Sequence, residues 1–125
     1  MPSVLGAQGE ALAADYLAQN GYFVLDRNYR FAHAELDLVC FQPWPGGDGG
    51  DLVFVEVKTR TNNRYGAPEE AITEAKKRHL RRAAEAYLYE RKLDGAPARF
   101  DVVCVDLGAG APAITHHENA FGMMF

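Results

Sequence analysis

Leu52-Val53-Phe54-Val55-Glu56-Val57-Lys58-Thr59, read with Ala34-Glu35-Leu36-Asp37-Leu38-Val39, decides the fold. The first stretch is apolar on both alternating faces, with Leu52 and Phe54 ahead of Glu56 and Lys58 on one side and Val53, Val55 and Val57 on the other. Such a pattern predicts a central strand buried on both faces. A charged group in a low-dielectric interior costs several kcal/mol or more unless it is paired or bound to metal. Glu56 and Lys58 therefore need a chemical reason to be there. Residues two apart in a strand point the same way, which sets Glu56 beside Lys58 and Glu35 beside Asp37. If the two strands pair, three carboxylates and one lysine converge.

That set suits a hard divalent cation such as Mg²⁺, which takes oxygen ligands and keeps several of its waters. A bound cation makes water easier to deprotonate and neutralises charge growing on a phosphoryl oxygen. A neighbouring lysine orients that water, takes its proton, or stabilises the transition state electrostatically. Hydrolysis of a phosphodiester uses all of these parts. An isolated Glu-x-Lys would read more simply as a structural ion pair, since such pairs are common. The paired acids of a second strand weigh against that reading, because packing alone does not explain them.

The order of Gly9-Glu10 on an N-terminal helix, then Glu35-Leu36-Asp37-Leu38, then Val53-Phe54-Val55-Glu56-Val57-Lys58-Thr59-Arg60, resembles the PD-(D/E)XK nuclease superfamily. Within it the chain is most similar to the YraN-like family of small bacterial predicted endonucleases. The resemblance extends through Tyr65-Gly66-Ala67-Pro68-Glu69-Glu70-Ala71, Arg99-Phe100-Asp101-Val102-Val103, and His116 with Asn119-Ala120-Phe121. It implies a restriction-endonuclease-like α/β core, a mixed sheet flanked by helices in the order α-β-β-β-α-β-β. It also implies Asp37 and Glu56 as metal ligands, Lys58 as the catalytic lysine, and Glu10 as the helix glutamate that completes the site. Helical spacing with Ala14 and Leu17 turns Glu10 toward the apolar side, yet without the resemblance an exposed first-turn acid favoured by the helix dipole would be the simpler reading. Ala34 stands where the family usually carries glycine.

The 125 residues, 48% hydrophobic, suffice for one core, so residues 1–125 are expected to form one domain. No apolar run is long enough to cross a bilayer and no signal-peptide pattern opens the chain, so a cytoplasmic location with no membrane partner is expected. Cys40 and Cys104 lie in apolar runs and read as buried thiols. The net charge of −4 argues against strong non-specific affinity for nucleic acid, although the basic residues cluster. Arg60 and Arg64 follow the Glu-x-Lys strand, and Lys76, Lys77, Arg78, Arg81 and Arg82 crowd one helix.

A first helix is expected from Gly6 to Asn20, ended by Gly21. A strand is expected over Tyr22 to Arg27, a turn over Asn28 to His33, and a hairpin loop at Pro43 to Gly50 with Asp48 and Asp51 solvated. Pro68 is expected to open a helix ending near Arg91 or Leu93. Its apolar stripe would be Ile72, Ala75, His79, Leu80, Ala83 and Tyr87, with Lys77, Arg78, Arg81 and Arg82 opposite. That basic face reads equally well as solvated surface or as a DNA contact. Lys76 lies within the stripe, so it either snorkels out or reaches the sheet's catalytic edge as a phosphate contact. His79 is expected half-buried. A central strand is expected over Arg99 to Leu107, with Arg99 as partner to Asp101, and a short edge strand over Ala113 to His116.

The sequence thus points to a Mg²⁺- or Mn²⁺-dependent endonuclease acting on DNA. Similarity to junction-resolving nucleases implies a branched or recombining substrate and, for a two-fold branch, a homodimer. The alternative is a non-catalytic nucleic-acid-binding or scaffold module that keeps the nuclease fold. No residue distinguishes DNA from RNA.

Overall fold

The computed structural model describes residues 3–61, 72–108 and 110–123. The helix α1 (Val4–Gln19) leads into three antiparallel strands, β1 (Phe23–Phe31), β2 (Ala34–Pro43) and β3 (Gly50–Arg60). A second helix, α2 (Glu74–Glu90), then crosses to β4 (Ala98–Asp106), which runs parallel to β3, and β5 (Ala113–Phe121) closes the other edge. The sheet order is β1-β2-β3-β4-β5. A parallel neighbour needs a long crossover, and α2 is that crossover. The architecture is the α/β, restriction-endonuclease-like arrangement in the order the resemblance implied.

Each face of the sheet has its own core. Phe54, Phe100, Val102 and Leu36 pack with Leu80, Ala83, Ala84 and Tyr87 of α2. Val53, Val55, Val103, Val105 and Leu38 pack with Ala13, Ala14 and Leu17 of α1. Burial on both sides makes β3 and β4 read as continuous apolar runs. It also fixes Glu56 and Lys58 on the α2 face, through their parity with Phe54.

Four boundaries differ from the sequence reading. β1 continues to Phe31, because Asn28 adopts a left-handed φ of 52° and stays within the strand. The turn is reduced to Ala32 and His33, which join Phe31 to its partner Ala34. β5 likewise runs to Phe121, with Asn119 at φ 52° as its irregular residue. Phe121 then stacks on Phe100 with centroids 4.5 Å apart. α2 starts at Glu74, since Thr73 is extended and its hydroxyl caps the helix by accepting from the Lys76 N–H at 3.1 Å. The expected start at Pro68 lies outside the described residues.

The stripe of α2 is also rotated. Ala75 and His79 are exposed, and the buried positions are Leu80, Arg81, Ala83, Ala84, Tyr87 and Leu88. Among the described residues, no helix is long and apolar enough to cross a membrane. Cys40 and Cys104 are buried free thiols.

Candidate metal centre

β2 and β3 pair from Pro43–Gly50 to Leu38–Val55, and the ladder stops there. At the next position the Asp37 side chain takes over, its Oδ2 accepting the Val57 N–H at 2.7 Å. Leu36 belongs to the α2-side core and Leu38 to the α1-side core, so the alternation of β2 slips at Asp37. This irregularity parts the strands and opens a space that both helices can reach.

From one side comes α1. Gly9 lets it approach β3 closely, because a Cβ there would lie 1.8 Å from Thr59 Oγ1. The next residue, Glu10, is thereby brought to the sheet. One carboxylate oxygen each from Glu10, Glu35 and Asp37 lies within 4.8 Å of the others. Asn28 Nδ2 donates to Glu10 Oε1 at 3.0 Å and to Glu35 Oε1 at 2.8 Å, and Arg30 Nε stands 3.1 Å from Glu35 Oε2. The sequence reading missed both residues. The signal available for Asn28 was an asparagine, a residue that tolerates left-handed backbone, inside an otherwise strand-forming run.

From the other side comes α2. Glu56 is 6% exposed, and Lys76 Nζ lies 2.7 Å from its Oε2. Of the two readings open for Lys76, the structure has the one that reaches the sheet. The contact is one of charge, without the alignment of a hydrogen bond. A 390 Å³ cavity lies over these groups, lined by His33, Ala34, Glu35, Asp37, Glu56, Lys76, His79 and Leu80. His79 is exposed rather than half-buried, and sits edge-on to His33 at 6.4 Å.

The electrostatics follow from the crowding. Burial, and next the Glu56 carboxylate, push Asp37 up to about 9. For Glu56 burial acts in the same upward sense, but Asp37, Lys76 and Lys58 together outweigh it and hold the group below the usual carboxylate range. The pair keeps one negative charge more readily than two. Burial and the Lys76 ammonium lower Lys58, against the pull of Glu56.

The donors are all oxygens, as a hard divalent cation requires, and two of the acids are too close to ionise together without one. Glu10, Glu35 and Asp37 are therefore a group that could hold a hard divalent cation, with Glu56 set against Asp37. A second acidic group, Asp101, His116 and Glu118, is already neutralised. Asp101, fully buried, meets His116 Nε2 at 2.7 Å, Arg99 Nε at 3.0 Å and the Asn119 N–H at 2.9 Å. Arg99 also reaches Asp51 at 2.9 Å, so that aspartate is an ion-pair partner and not merely solvated.

The basic residues disperse. Arg60 ends β3 on the parity of Glu56 and Lys58. Arg78 and Arg82 are exposed on α2. Arg81, by contrast, is only 9% exposed and donates from Nε to the Gly122 carbonyl at 2.8 Å. Arg81 and Lys77 both lie 5.6 Å from the Phe121 ring centre. The expected basic face shared by Lys77, Arg78, Arg81 and Arg82 is thus split, because the rotation of α2 turns two of the four onto the end of β5. Arg64 lies outside the described residues.

A five-stranded mixed sheet between two helices, with acids gathered where two antiparallel strands part, defines a restriction-endonuclease-like α/β protein with a candidate cation site. Residues 9–105 match the model of the uncharacterised protein family UPF0102, and the chain belongs to that family. It is 46% identical over 123 residues to a UPF0102 protein of Chlorobium chlorochromatii, covering 94% of this chain and 90% of the relative. A UPF0102 protein of Geobacter metallireducens is 40% identical over 121 residues, covering 97% and 94%. One from Symbiobacterium thermophilum is 48% identical over 104 residues, covering 83% of each chain.

Proposed function

We propose that this protein is a Mg²⁺- or Mn²⁺-dependent endodeoxyribonuclease, a single domain that acts on branched or recombining DNA. The observation that carries the reading is the opening between β2 and β3, where Asp37 is shared between Glu10 and Glu35 on one side and Glu56 on the other, with Lys58 acting on Glu56 and Asp37, and a cavity lined by Glu35, Asp37 and Glu56 above. A structural ion pair needs no such gathering of like charge. Asp37 and Glu56 hold the cation, with Glu10 and Glu35 as accessory acids. When bound, the ion would supply an activated water and neutralise charge on the scissile phosphate.

Lys58 positions that water or takes its proton at Nζ, a role helped by the burial that lowers its pKa. Asn28 holds Glu10 and Glu35 in place through its two hydrogen bonds. Lys76, Arg60, Arg78 and Arg82 contact the phosphate backbone, while Lys77 and Arg81 chiefly hold the end of β5. A homodimer would match the two-fold symmetry of a four-way junction.

The test is a cleavage screen of single-stranded, duplex, flap and four-way-junction DNA, each with Mg²⁺ and with Mn²⁺, and with RNA counterparts. Cleavage of branched DNA above duplex, abolished by EDTA, is the expected result. Absence of cleavage on every substrate, with DNA binding retained, would favour the non-catalytic module, for which the acidic net charge of −4 and the lack of a base-reading motif speak.

A further inference from the structure

Lys76 of α2 meets Glu56 with a positive charge where a metal site needs one. Its side chain is 44% exposed, so the ammonium has a path to solvent, whereas Glu56 is almost wholly enclosed and has none. The contact at 2.7 Å is not aligned as a hydrogen bond, which leaves Coulomb attraction as its main tie. The cavity beside it, 390 Å³ and lined also by His33, Glu35, Asp37 and His79, gives the side chain somewhere to go.

We propose that Lys76 is a built-in stand-in for the metal: it neutralises Glu56 in the metal-free protein and is displaced toward the cavity mouth when the divalent cation binds. This rests on the metal site argued above. A carboxylate oxygen with an ammonium 2.7 Å away cannot also be presented to a cation without the ammonium moving, because two positive centres so close repel. The lysine therefore competes with the ion. Once expelled, its charge stands at the rim of the cavity, where a phosphate of the substrate would meet it. Loading the metal and exposing a phosphate contact become one event.

The experiment titrates Mn²⁺ into metal-stripped protein, following free Mn²⁺ by its electron paramagnetic resonance signal. Wild type is compared with Lys76→Met, Lys76→Arg and Glu56→Gln, with melting temperatures taken in EDTA. Lys76→Met should bind Mn²⁺ about tenfold more tightly, equivalent to ~1.4 kcal/mol, and melt lower in EDTA. Lys76→Arg, which keeps the competing charge, should stay near wild type. Affinity in Lys76→Met equal to or weaker than wild type, with Glu56→Gln losing the ion, would overturn the inference while leaving the metal site standing. No Mn²⁺ bound by either wild type or Lys76→Met would defeat both.

Should Lys76→Met not fold, wild type alone decides. Lysine acylation mapped by mass spectrometry should quicken at Lys76 on adding Mn²⁺ if the amine is expelled, and an unchanged or slower rate there overturns the proposal.

Discussion

The Asp37 carboxylate replaces a rung of the β2–β3 ladder through its 2.7 Å bond from Val57 and stands against Glu56. Its pKa is raised from the ordinary ~3.9 to about 9, so protonation favours the folded state. In metal-free protein the stability from this group is fully present below about pH 4 and is lost as pH rises toward 9. Asp37→Asn mimics the protonated form and keeps an acceptor for Val57. Melting curves in EDTA should therefore show wild type falling behind the variant across that window. Millimolar Mn²⁺ should raise the wild-type melting temperature by binding only the folded state, and leave Asp37→Asn unmoved. Parallel pH profiles, or an equal metal response, would contradict this account of Asp37.

Asp101 is the other buried acid, and its accounting differs. Burial raises its pKa, but the bonds from His116, Arg99 and Asn119 together outweigh it and hold the group low. Its stability is present above about pH 4 and fades as pH falls below. Asp101→Asn leaves Arg99 without its buried charge partner, and urea denaturation should show a loss of about 3–5 kcal/mol. A loss under 1 kcal/mol would mean that the network is dispensable.

Among the elements, the approach of α1 to β3 depends on Gly9. Gly9→Ala gains helix propensity, yet its Cβ would meet Thr59 Oγ1 at 1.8 Å and push α1, with Glu10, away from the sheet. A net loss of about 1–3 kcal/mol is expected, as for overpacked sites, along with weaker Mn²⁺ binding. Thr59→Ala should recover part of both, since it removes the nearest atom. A double-mutant cycle showing no coupling would place the clash elsewhere.

The elements also show what could be read from sequence. β3 and β4 were legible because burial on both faces leaves unbroken apolar runs, and within β3 the exceptions, Glu56 and Lys58, marked the candidate site. The continuation of β1 was not, because Asn28 looks like a turn residue and acts as one while the pairing carries on past it. The rotation of α2 was hidden because Arg81 and Lys77 read as solvent-facing charges, whereas both set their charged ends 5.6 Å from the Phe121 ring centre, where the π face attracts a cation. Nor could spacing show that Lys76 would meet Glu56, since that contact depends on where the crossover sets α2 on the sheet.

For the whole molecule, the proposed function poses the question of how an acidic protein would hold DNA. The rotation of α2 leaves Arg78 and Arg82 outward, and each phosphate contact made by such a residue contributes roughly 0.7 to 0.9 to the slope of log affinity against log salt. Replacing both by alanine should flatten the slope by nearly two units in Ca²⁺, with the melting temperature unchanged. Arg81→Ala should instead lower the melting temperature, because it frees the Gly122 carbonyl and uncovers Phe121. An unaltered slope in the Arg78/Arg82 variant would route the DNA along Arg60 and the end of β3.

The central claim is that Lys58 and the neighbouring acids cleave phosphodiesters, and single-turnover cleavage of a four-way junction at saturating Mn²⁺ tests it most directly. Wild type should cut, and Lys58→Ala, with its Mn²⁺ binding intact, should cut at least a hundredfold more slowly, as should Glu56→Ala. Cleavage by Lys58→Ala at the wild-type rate would contradict the claim.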